Sequence, residues 1–206
     1  MKIITDLKTQ TKNAKRVSVF LDGEYYCGLD LQTVVKNRLK VGLEISESEL
    51  IEIQRESELS ACYNSALNLI SKSSKTEKEV GDKLINKGYL PEIVSEVILK
   101  VKSYGFIDDK IYAERYVSTY KNTKGKRLMA LELKRKGVSE SDVNCVLDSA
   151  TSQEEVAYNI ALKYLKNKEI NRATVQKCYN YLLSKGFSYD ECSYATKKAT
   201  KIEEEF

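Results

Sequence analysis

From residue 94 onward, apolar residues recur along the chain with the spacing of one helix face. Positions i, i+3, i+4 and i+7 are apolar or small in three separate segments, which is typical of an amphipathic helix that packs one face into a core. Corresponding positions lie 49 residues apart, so the same helix is predicted three times. The three stripes are Val94, Val97, Ile98 and Val101, then Val143, Val146, Leu147 and Ala150, then Cys192, Ala195, Thr196 and Ala199.

A Lys-Gly pair precedes each stripe at the same 49-residue interval. Gly88, Gly137 and Gly186 stand where a left-handed residue commonly ends a helix, and a lysine charge is favourable there. The segments Tyr63–Ile70 and Tyr158–Leu165, which precede the first and third Lys-Gly pairs, are similar to each other. These signals predict tandem units of three helices each. Helix starts are predicted, from capping-box spacing, a capping carboxylate or a first-turn proline, at Thr76, Pro91, Asp108, Ser139 and Ser188.

The first 55 residues follow a different pattern. Arg16–Leu21 alternates polar and apolar residues, Asp22-Gly23 is a strong two-residue turn signal, and Glu24–Gly28 supplies the returning strand of a hairpin. The other elements predicted here are a strand over Lys2–Leu7, a helix over Leu31–Lys40, and a helix that Ser46 caps and that runs through Leu59.

The predicted fold is therefore mainly α, with three tandem three-helix repeats after a small N-terminal β-hairpin module. The predicted domains are the module at 1–55 and the repeats at 56–107, 108–151 and 152–206. A lone hairpin is marginally stable in water, so we expect the module to pack on the first helices.

Composition excludes several kinds of chemistry. The 206 residues include no His, which rules out Ser-His and Cys-His nucleophilic catalysis and histidine zinc sites. Five Cys without a C-x-x-C pair predict neither a disulfide framework nor a thiolate metal site. No segment resembles a signal peptide or a transmembrane helix. We expect a cytoplasmic monomer with no metal, no cofactor and no membrane contact.

Cysteines and tyrosines are interpreted mainly as packing residues. Cys62, Cys178 and Cys192 fall at apolar repeat positions and are predicted to be buried, whereas Cys145 lies off the stripe. Tyr63, Tyr112 and Tyr158 share one repeat position and are predicted to pack into the cores, while Tyr89, Tyr120 and Tyr189, near turns, are weaker candidates for exposed contacts.

Charge is modest overall but unevenly distributed. The net charge is +4, yet residues 110–150 alone hold nine basic and five acidic side chains. Lys121–Arg127 and Lys134–Lys136 supply seven of those nine basic groups. The pattern fits an anion-binding surface or, alternatively, a solvated loop and helix face. The phosphate-binding pattern G-x-x-x-x-G-K-[ST] is absent, so no nucleotide site is predicted.

Four stretches carry motifs in a fixed order: Thr76–Tyr89, Gly105–Ala113, Lys124–Val138 and Ser184–Phe187. This ordered set, together with the hairpin module, resembles the RecX family, the regulatory proteins of the bacterial recombinase RecA. The resemblance covers nearly the whole chain, although no single motif is decisive.

The resemblance implies an elongated, curved array of three-helix repeats. It also implies a non-enzymatic role in homologous recombination, DNA repair and the SOS response. Such a protein lies along the groove of the RecA filament on single-stranded DNA and mainly inhibits filament extension, ATP hydrolysis and strand exchange. The chain departs from the family pattern at Gly81, where a basic residue is usual, and at Cys192, where an aliphatic residue is usual.

Given this resemblance, the basic middle segment becomes a candidate contact with filament DNA or with an acidic strip on RecA. The alternative is an independent nucleic-acid-binding protein with tandem helix-turn-helix-like units. A net charge of +4 is weak for that role, and no helix concentrates side chains for base readout. An enzyme ranks third, because no spaced carboxylate pair stands out. The candidate contacts are Arg115, Lys121, Lys124, Lys126, Arg127, Lys134, Arg135 and Lys136.

Overall fold

An antiparallel four-stranded sheet lies at the N-terminus of the protein in a computed structural model that describes residues 1–11, 13–148 and 153–203. The predicted hairpin is confirmed, because Asp22 and Gly23 have φ angles of 51° and 91°, as a type I′ turn requires. The predicted third strand is also present, and it extends beyond Leu7. The strands are β1 (Lys2–Gln10), β2 (Asn13–Leu21), β3 (Glu24–Asp30) and β4 (Glu44–Ile45), in the order β3-β2-β1-β4.

The next two helices differ in length from the sequence predictions. Helix α1 (Leu31–Lys36) ends before Lys40 because Arg38 adopts the left-handed conformation, with φ of 52°. Helix α2 (Glu47–Lys72) continues past the predicted end at Leu59, since no Gly or Pro interrupts residues 47–72. One helix therefore crosses the predicted boundary between residues 55 and 56. The four predicted domains and the three boundaries between them stay predictions.

Eight further helices complete the described part of the chain. It divides into two units, Met1–Ile107 and Asp108–Phe206, of which the first holds the sheet and one three-helix repeat and the second holds two repeats. The elongated, curved arrangement stays a prediction. The helices are α3 (Glu77–Ile85), α4 (Pro91–Ser103), α5 (Asp109–Tyr120), α6 (Lys126–Arg135), α7 (Glu140–Asp148), α8 (Glu154–Leu165), α9 (Arg172–Ser184) and α10 (Tyr189–Glu203).

The predicted helix ends are confirmed at atomic detail. Gly88, Gly137 and Gly186 have φ angles of 92°, 91° and 88°, and each closes its helix in the same way. At the first of them, the Gly88 amide donates to the Ile85 carbonyl at 2.8 Å and the next amide donates to Leu84 at 3.3 Å, which is a Schellman motif. Capping boxes or capping bonds begin helices at Ser46, Thr76, Asp108, Ser139 and Ser188.

Separate hydrophobic cores lie under the sheet and inside each repeat. The sheet core joins Ile4, Val19 and Leu29 to Leu50 of α2. The repeat cores contain the predicted stripes of α4, α7 and α10, except that Ala150 lies outside the described residues. Because these stripes are buried as predicted, each repeat has its own three-helix core.

The cysteine predictions are confirmed. Cys62, Cys178 and Cys192 are fully buried and Cys145 is exposed. Burial raises the pKa of the Cys178 thiol to about 11. At neutral pH this thiol is therefore a small apolar core group, which agrees with its position in the stripe.

Candidate functional site

Seven of the eight candidate basic residues fall into two groups at opposite ends of α6, while Arg115 lies on α5. Lys121, Lys124, Lys126 and Arg127 lie in or beside the loop between α5 and α6, while the run that starts at Lys134 lies at the other end of the helix. Nine residues separate Arg127 from the end of that run, which is about 13 Å at the rise of an α-helix. The sequence predicts one basic segment, and the structure divides it into two.

Lys124 is engaged inside the second repeat. Its ammonium group donates to both carboxylate oxygens of Glu132, at 2.9 and 2.7 Å, and to the Tyr116 hydroxyl at 3.0 Å. The same ammonium group lies 4.1 Å from the centroid of the Tyr120 ring. Only 22% of the Lys124 side chain is exposed. Lys124 therefore ties the loop to α5 and α6 and is poorly placed to meet a partner.

The pKa shifts in this network favour the charged forms of both Lys124 and Glu132 in the folded protein. Burial opposes the charge on Lys124, but the hydrogen bonds to Glu132 and Tyr116 outweigh it and raise the lysine pKa. Burial likewise opposes the charge on Glu132, yet the bonds from Lys124 and Tyr116 lower its pKa overall. Tyr116, which donates to Glu132, has a raised pKa because of burial first and that hydrogen bond second. Both charges are thus stabilised by their partners within the repeat.

The loop between α5 and α6 is held by the third repeat through its backbone. Gly125 N donates to the Lys185 carbonyl at 2.8 Å, and Arg127 N donates to the Gly186 carbonyl at 3.1 Å. A Cβ atom on Gly125 would lie 2.1 Å from the carbonyl carbon and oxygen of Gly186. Only glycine permits such an approach, so the α5–α6 loop and the α9–α10 turn form one close joint.

Gln153 completes this joint from a buried position. Its side-chain oxygen accepts from Lys126 N at 2.8 Å, and its side-chain nitrogen donates to the Lys121 and Lys124 carbonyls, both at 3.2 Å. The first amides of α6 are therefore already bonded to protein, and this helix start is not open to an anion. A single Gln carries no sequence signal for such a role, so sequence reasoning missed it.

At the far end of α6, the three consecutive basic residues also have neighbours. Lys134 forms an ion pair with Glu140, which lowers the pKa of that exposed carboxyl. The Lys136 ammonium lies 5.4 Å from the centroid of the Tyr112 ring. Arg135 is exposed on the same turn and contributes to the potential around Glu132. This group is positive, but its charges are partly used within the repeat.

Three of the candidate residues remain available at the surface. Arg115, Lys121 and Arg127 are exposed, and none forms an ion pair with a carboxylate in the described part of the chain. The Arg127 guanidinium lies 5.5 Å from the ring of Tyr189, which is 62% exposed. Arg127 and Tyr189 together present a cation and an aromatic face at the joint between the second and third repeats.

The tyrosine predictions divide in the same way. Tyr63, Tyr112 and Tyr158 are half-buried and pack against the three repeat cores, as predicted. Tyr89 and Tyr120 are also half-buried, and the Tyr89 hydroxyl is hydrogen-bonded to Ser65 at 2.9 Å, which leaves Tyr189 as the exposed one of the three turn tyrosines.

A second basic feature lies in the third repeat, where the sequence shows no run that would predict it. Lys163, Lys166, Lys168 and Lys185 line a cleft of about 550 Å³ beside the stacked rings of two tyrosines. Three of the lysines lie close together in the sequence, at the end of α8 and in the following loop, and folding brings Lys185 from the end of α9 beside them.

Metal-binding clusters and membrane-spanning helices are both absent from the described part of the chain. Across residues 1–11, 13–148 and 153–203, no three His, Cys, Asp or Glu side chains converge in a way that would hold a metal ion. No helix in those same ranges is both long enough and apolar enough to cross a membrane.

Family comparisons match the chain in four consecutive segments. Residues 2–46 match the regulatory protein RecX N-terminal domain, and residues 62–100, 108–147 and 152–196 match the first, second and third RecX three-helix domains. The order of the matches is the order of the sheet and the three repeats along the chain.

Individual proteins and solved structures agree with these matches. The regulatory protein RecX of Clostridium perfringens (strain SM101 / Type A) is 34% identical over 206 residues, with 97% of each chain covered. That of Bacillus subtilis (strain 168) is 33% identical over 201 residues, covering 95% of this chain and 76% of its own. A crystal structure of regulatory protein RecX superposes with a TM-score of 0.71 at 28% identity, covering 96% of this chain and 100% of the other.

Proposed function

This chain belongs to the RecX family of regulatory proteins, and from that premise we propose that it binds the RecA filament on single-stranded DNA and mainly inhibits it. The steps affected are filament extension, ATP hydrolysis and strand exchange, which gives the protein a role in recombination, DNA repair and the SOS response. The observation that carries the proposal is the match of four RecX domains, in order, over nearly the whole chain.

The protein acts by binding and not by catalysis. Its relatives are named regulatory proteins. The titratable network around Lys124 is satisfied by its own partners, so it holds the repeat together and offers no reactive group to a substrate. A cytoplasmic monomer that needs no cofactor is part of the proposal.

The surface that we propose for the filament is the exposed part of the α5–α6 loop and the start of α6. Lys121 and Arg127 are exposed there, and Arg115 lies on the preceding helix. Lysine supplies a point charge and arginine a planar fork for phosphate or carboxylate groups. Because Gln153 and the Gly125–Gly186 contact hold the loop, the backbone that carries Lys121 and Arg127 needs little ordering on binding.

Co-sedimentation of the chain with RecA filaments tests this surface. The double substitution Lys121→Glu and Arg127→Glu should weaken filament binding about tenfold, since two attractive contacts become repulsive. The control is Lys177→Glu with Lys197→Glu, which makes the same charge change at two exposed positions of the third repeat. Lys124 is unsuitable for this test, because Lys124→Glu would place two carboxylates together and disturb the fold.

Equal binding by the surface variant and the control would remove this surface from the proposal. Failure of the unsubstituted chain to sediment with the filaments would contradict the proposed function itself. Binding to naked DNA that falls steeply with salt and ignores RecA would favour the alternative, an independent nucleic-acid-binding protein.

A further inference from the structure

We propose that the cleft in the third repeat binds the phosphate backbone of a single-stranded nucleic acid directly, without RecA. The cleft lies between the α5–α6 loop and the ends of α8 and α9, and its volume is about 550 Å³. All of its lining residues belong to the unit Asp108–Phe206. Its four lysines are distinct from the residues proposed above for the filament, although Asn122 and Thr123 of the neighbouring α5–α6 loop also line it.

The cleft concentrates positive charge that the fold does not neutralise. Lys163, Lys166, Lys168 and Lys185 line it, and its lining contains no acidic side chain. Within the part of the chain that the structure describes, none of these four lysines forms an ion pair. Lysines elsewhere are paired in the same structure, for example Lys198 with Glu155 at 2.6 Å. Four unpaired ammonium groups around one concavity create a potential that attracts an anion.

An aromatic pair holds two of these lysines in place without removing their charge. The rings of Tyr164 and Tyr181 stack with their centroids 4.9 Å apart and their planes at 26°. The Lys168 ammonium lies 3.4 Å from the Tyr164 centroid, and the Lys185 ammonium lies 5.3 Å from the Tyr181 centroid. A cation over a ring face keeps its full charge, so these groups are ordered and still able to bind an anion.

The backbone at the end of α8 places Lys168 at the cleft. Asn167 has φ of 62°, the left-handed region that asparagine tolerates better than most residues. The amide of Lys168 then donates to the Leu165 carbonyl at 2.9 Å, which reverses the chain after the helix. This turn lets residues on both sides of Asn167 line the same cleft.

The side-chain chemistry suits a phosphate ligand. The lining cations are all lysines, which bind phosphate as point charges. A basic groove that follows the phosphate backbone is a common arrangement for binding single-stranded nucleic acids. Because the site is concave, a flexible single strand can bend to bring its phosphates into it more readily than a stiff duplex can.

Fluorescence anisotropy of a labelled oligodeoxythymidylate, measured without RecA, tests the proposal. We compare the wild-type chain with Lys168→Gln, Lys185→Gln in one variant and with Lys177→Gln, Lys197→Gln as the matched control, which removes two charges of the same repeat outside the cleft. The cleft variant should bind about tenfold more weakly at low salt, while the control stays close to wild type.

The salt dependence supplies a readout that a merely structural role would not change. Each neutralised phosphate of a single strand contributes about 0.7 to the slope of log K against log salt, so losing two contacts should flatten the slope by about 1.4. Circular dichroism melting of each variant confirms that it is folded.

Several outcomes would overturn the proposal. These are no binding by the wild-type chain, equal losses in the cleft and control variants, or competition by poly-glutamate as effective as that by the unlabelled strand. Equal affinity for a duplex of the same length would remove the preference for a single strand, and tighter binding of ATP or inorganic phosphate would show that the site takes a free phosphate compound. Because RecA is absent from every arm, none of these results depends on the proposed regulatory function.

Discussion

Gly125→Ala adds a single methyl group at a backbone contact that has no room for it. The new Cβ would lie 2.1 Å from the carbonyl carbon and oxygen of Gly186 and 2.3 Å from the amide nitrogen of Phe187. All three are backbone atoms, so the third repeat must move away from the loop. The φ of Gly125 is −75°, which alanine adopts freely, and the penalty therefore comes from packing alone.

The expected loss follows from two contributions. Overpacking of a tight contact costs about 1–3 kcal/mol. Separation of the two backbones also weakens the hydrogen bonds from Gly125 N and Arg127 N, each of which contributes about 0.5–1.5 kcal/mol. Together these give a loss of about 2–6 kcal/mol in the free energy of unfolding of the second unit.

Urea denaturation followed by circular dichroism measures this loss, and thiol labelling localises it. Cys178 is buried in the third repeat and Cys62 in the first, so Gly125→Ala should speed alkylation of Cys178 and leave Cys62 unchanged. Gly81→Ala is the matched control, since its Cβ would meet nothing closer than Val94 at 4.0 Å. Placed inside α3, it should stabilise the protein by about 0.5–1 kcal/mol. A Gly125→Ala protein as stable as wild type would refute the close joint.

Three further predictions concern other groups. The pKa of Glu132 lies below its usual 4.5, so the Lys124–Glu132 network stabilises the fold fully above pH 4.5 and loses its effect as pH falls through the lowered pKa. Glu132→Gln should therefore flatten the acid limb of a plot of stability against pH, and an unchanged limb would contradict this. Gln153→Leu should lower the free energy of unfolding by about 2 kcal/mol or more, because three backbone groups lose their partner, and a melting curve equal to wild type would contradict it. A thiol reagent at neutral pH should label Cys145 in the native protein far faster than the buried thiols, because burial raises the pKa of Cys27, Cys62, Cys178 and Cys192 to about 11. Mass spectrometry of the labelled peptides measures this, and prompt labelling of Cys178 in the folded protein would refute its buried core position.

Local signals in the sequence predict most of the fold. The glycine ends of the helices, the capping residues and the hairpin turn each depend on two to six neighbouring residues, and the structure confirms them. Predictions failed where one residue adopts an uncommon conformation without a sequence signal. Arg38 ends α1 in the left-handed conformation, which is common for Gly or Asn and uncommon for Arg.

The candidate site was less predictable because its organisation depends on contacts between distant residues. Basic composition indicated the α5–α6 loop, but the burial of Lys124 depends on Glu132 and on two tyrosines of α5. The contact of Gly125 with Gly186 joins residues 61 positions apart, and nothing local distinguishes Gly125 from an ordinary loop glycine. The cleft beside Tyr164 forms only when α8 and α9 pack, so the charge pattern of the sequence alone does not predict it.

A measurement of ATP hydrolysis by the cognate RecA tests the central claim most directly. ATP hydrolysis by RecA on single-stranded DNA is measured with this protein added below stoichiometry, both to filaments already formed and to filaments still growing. We predict that hydrolysis falls in the growing filaments; a progressive fall in preformed filaments as well would indicate binding along the groove, and a fall confined to growing filaments would indicate capping of their ends. Unchanged hydrolysis in both, with unchanged filament length and no co-sedimentation, would contradict the account.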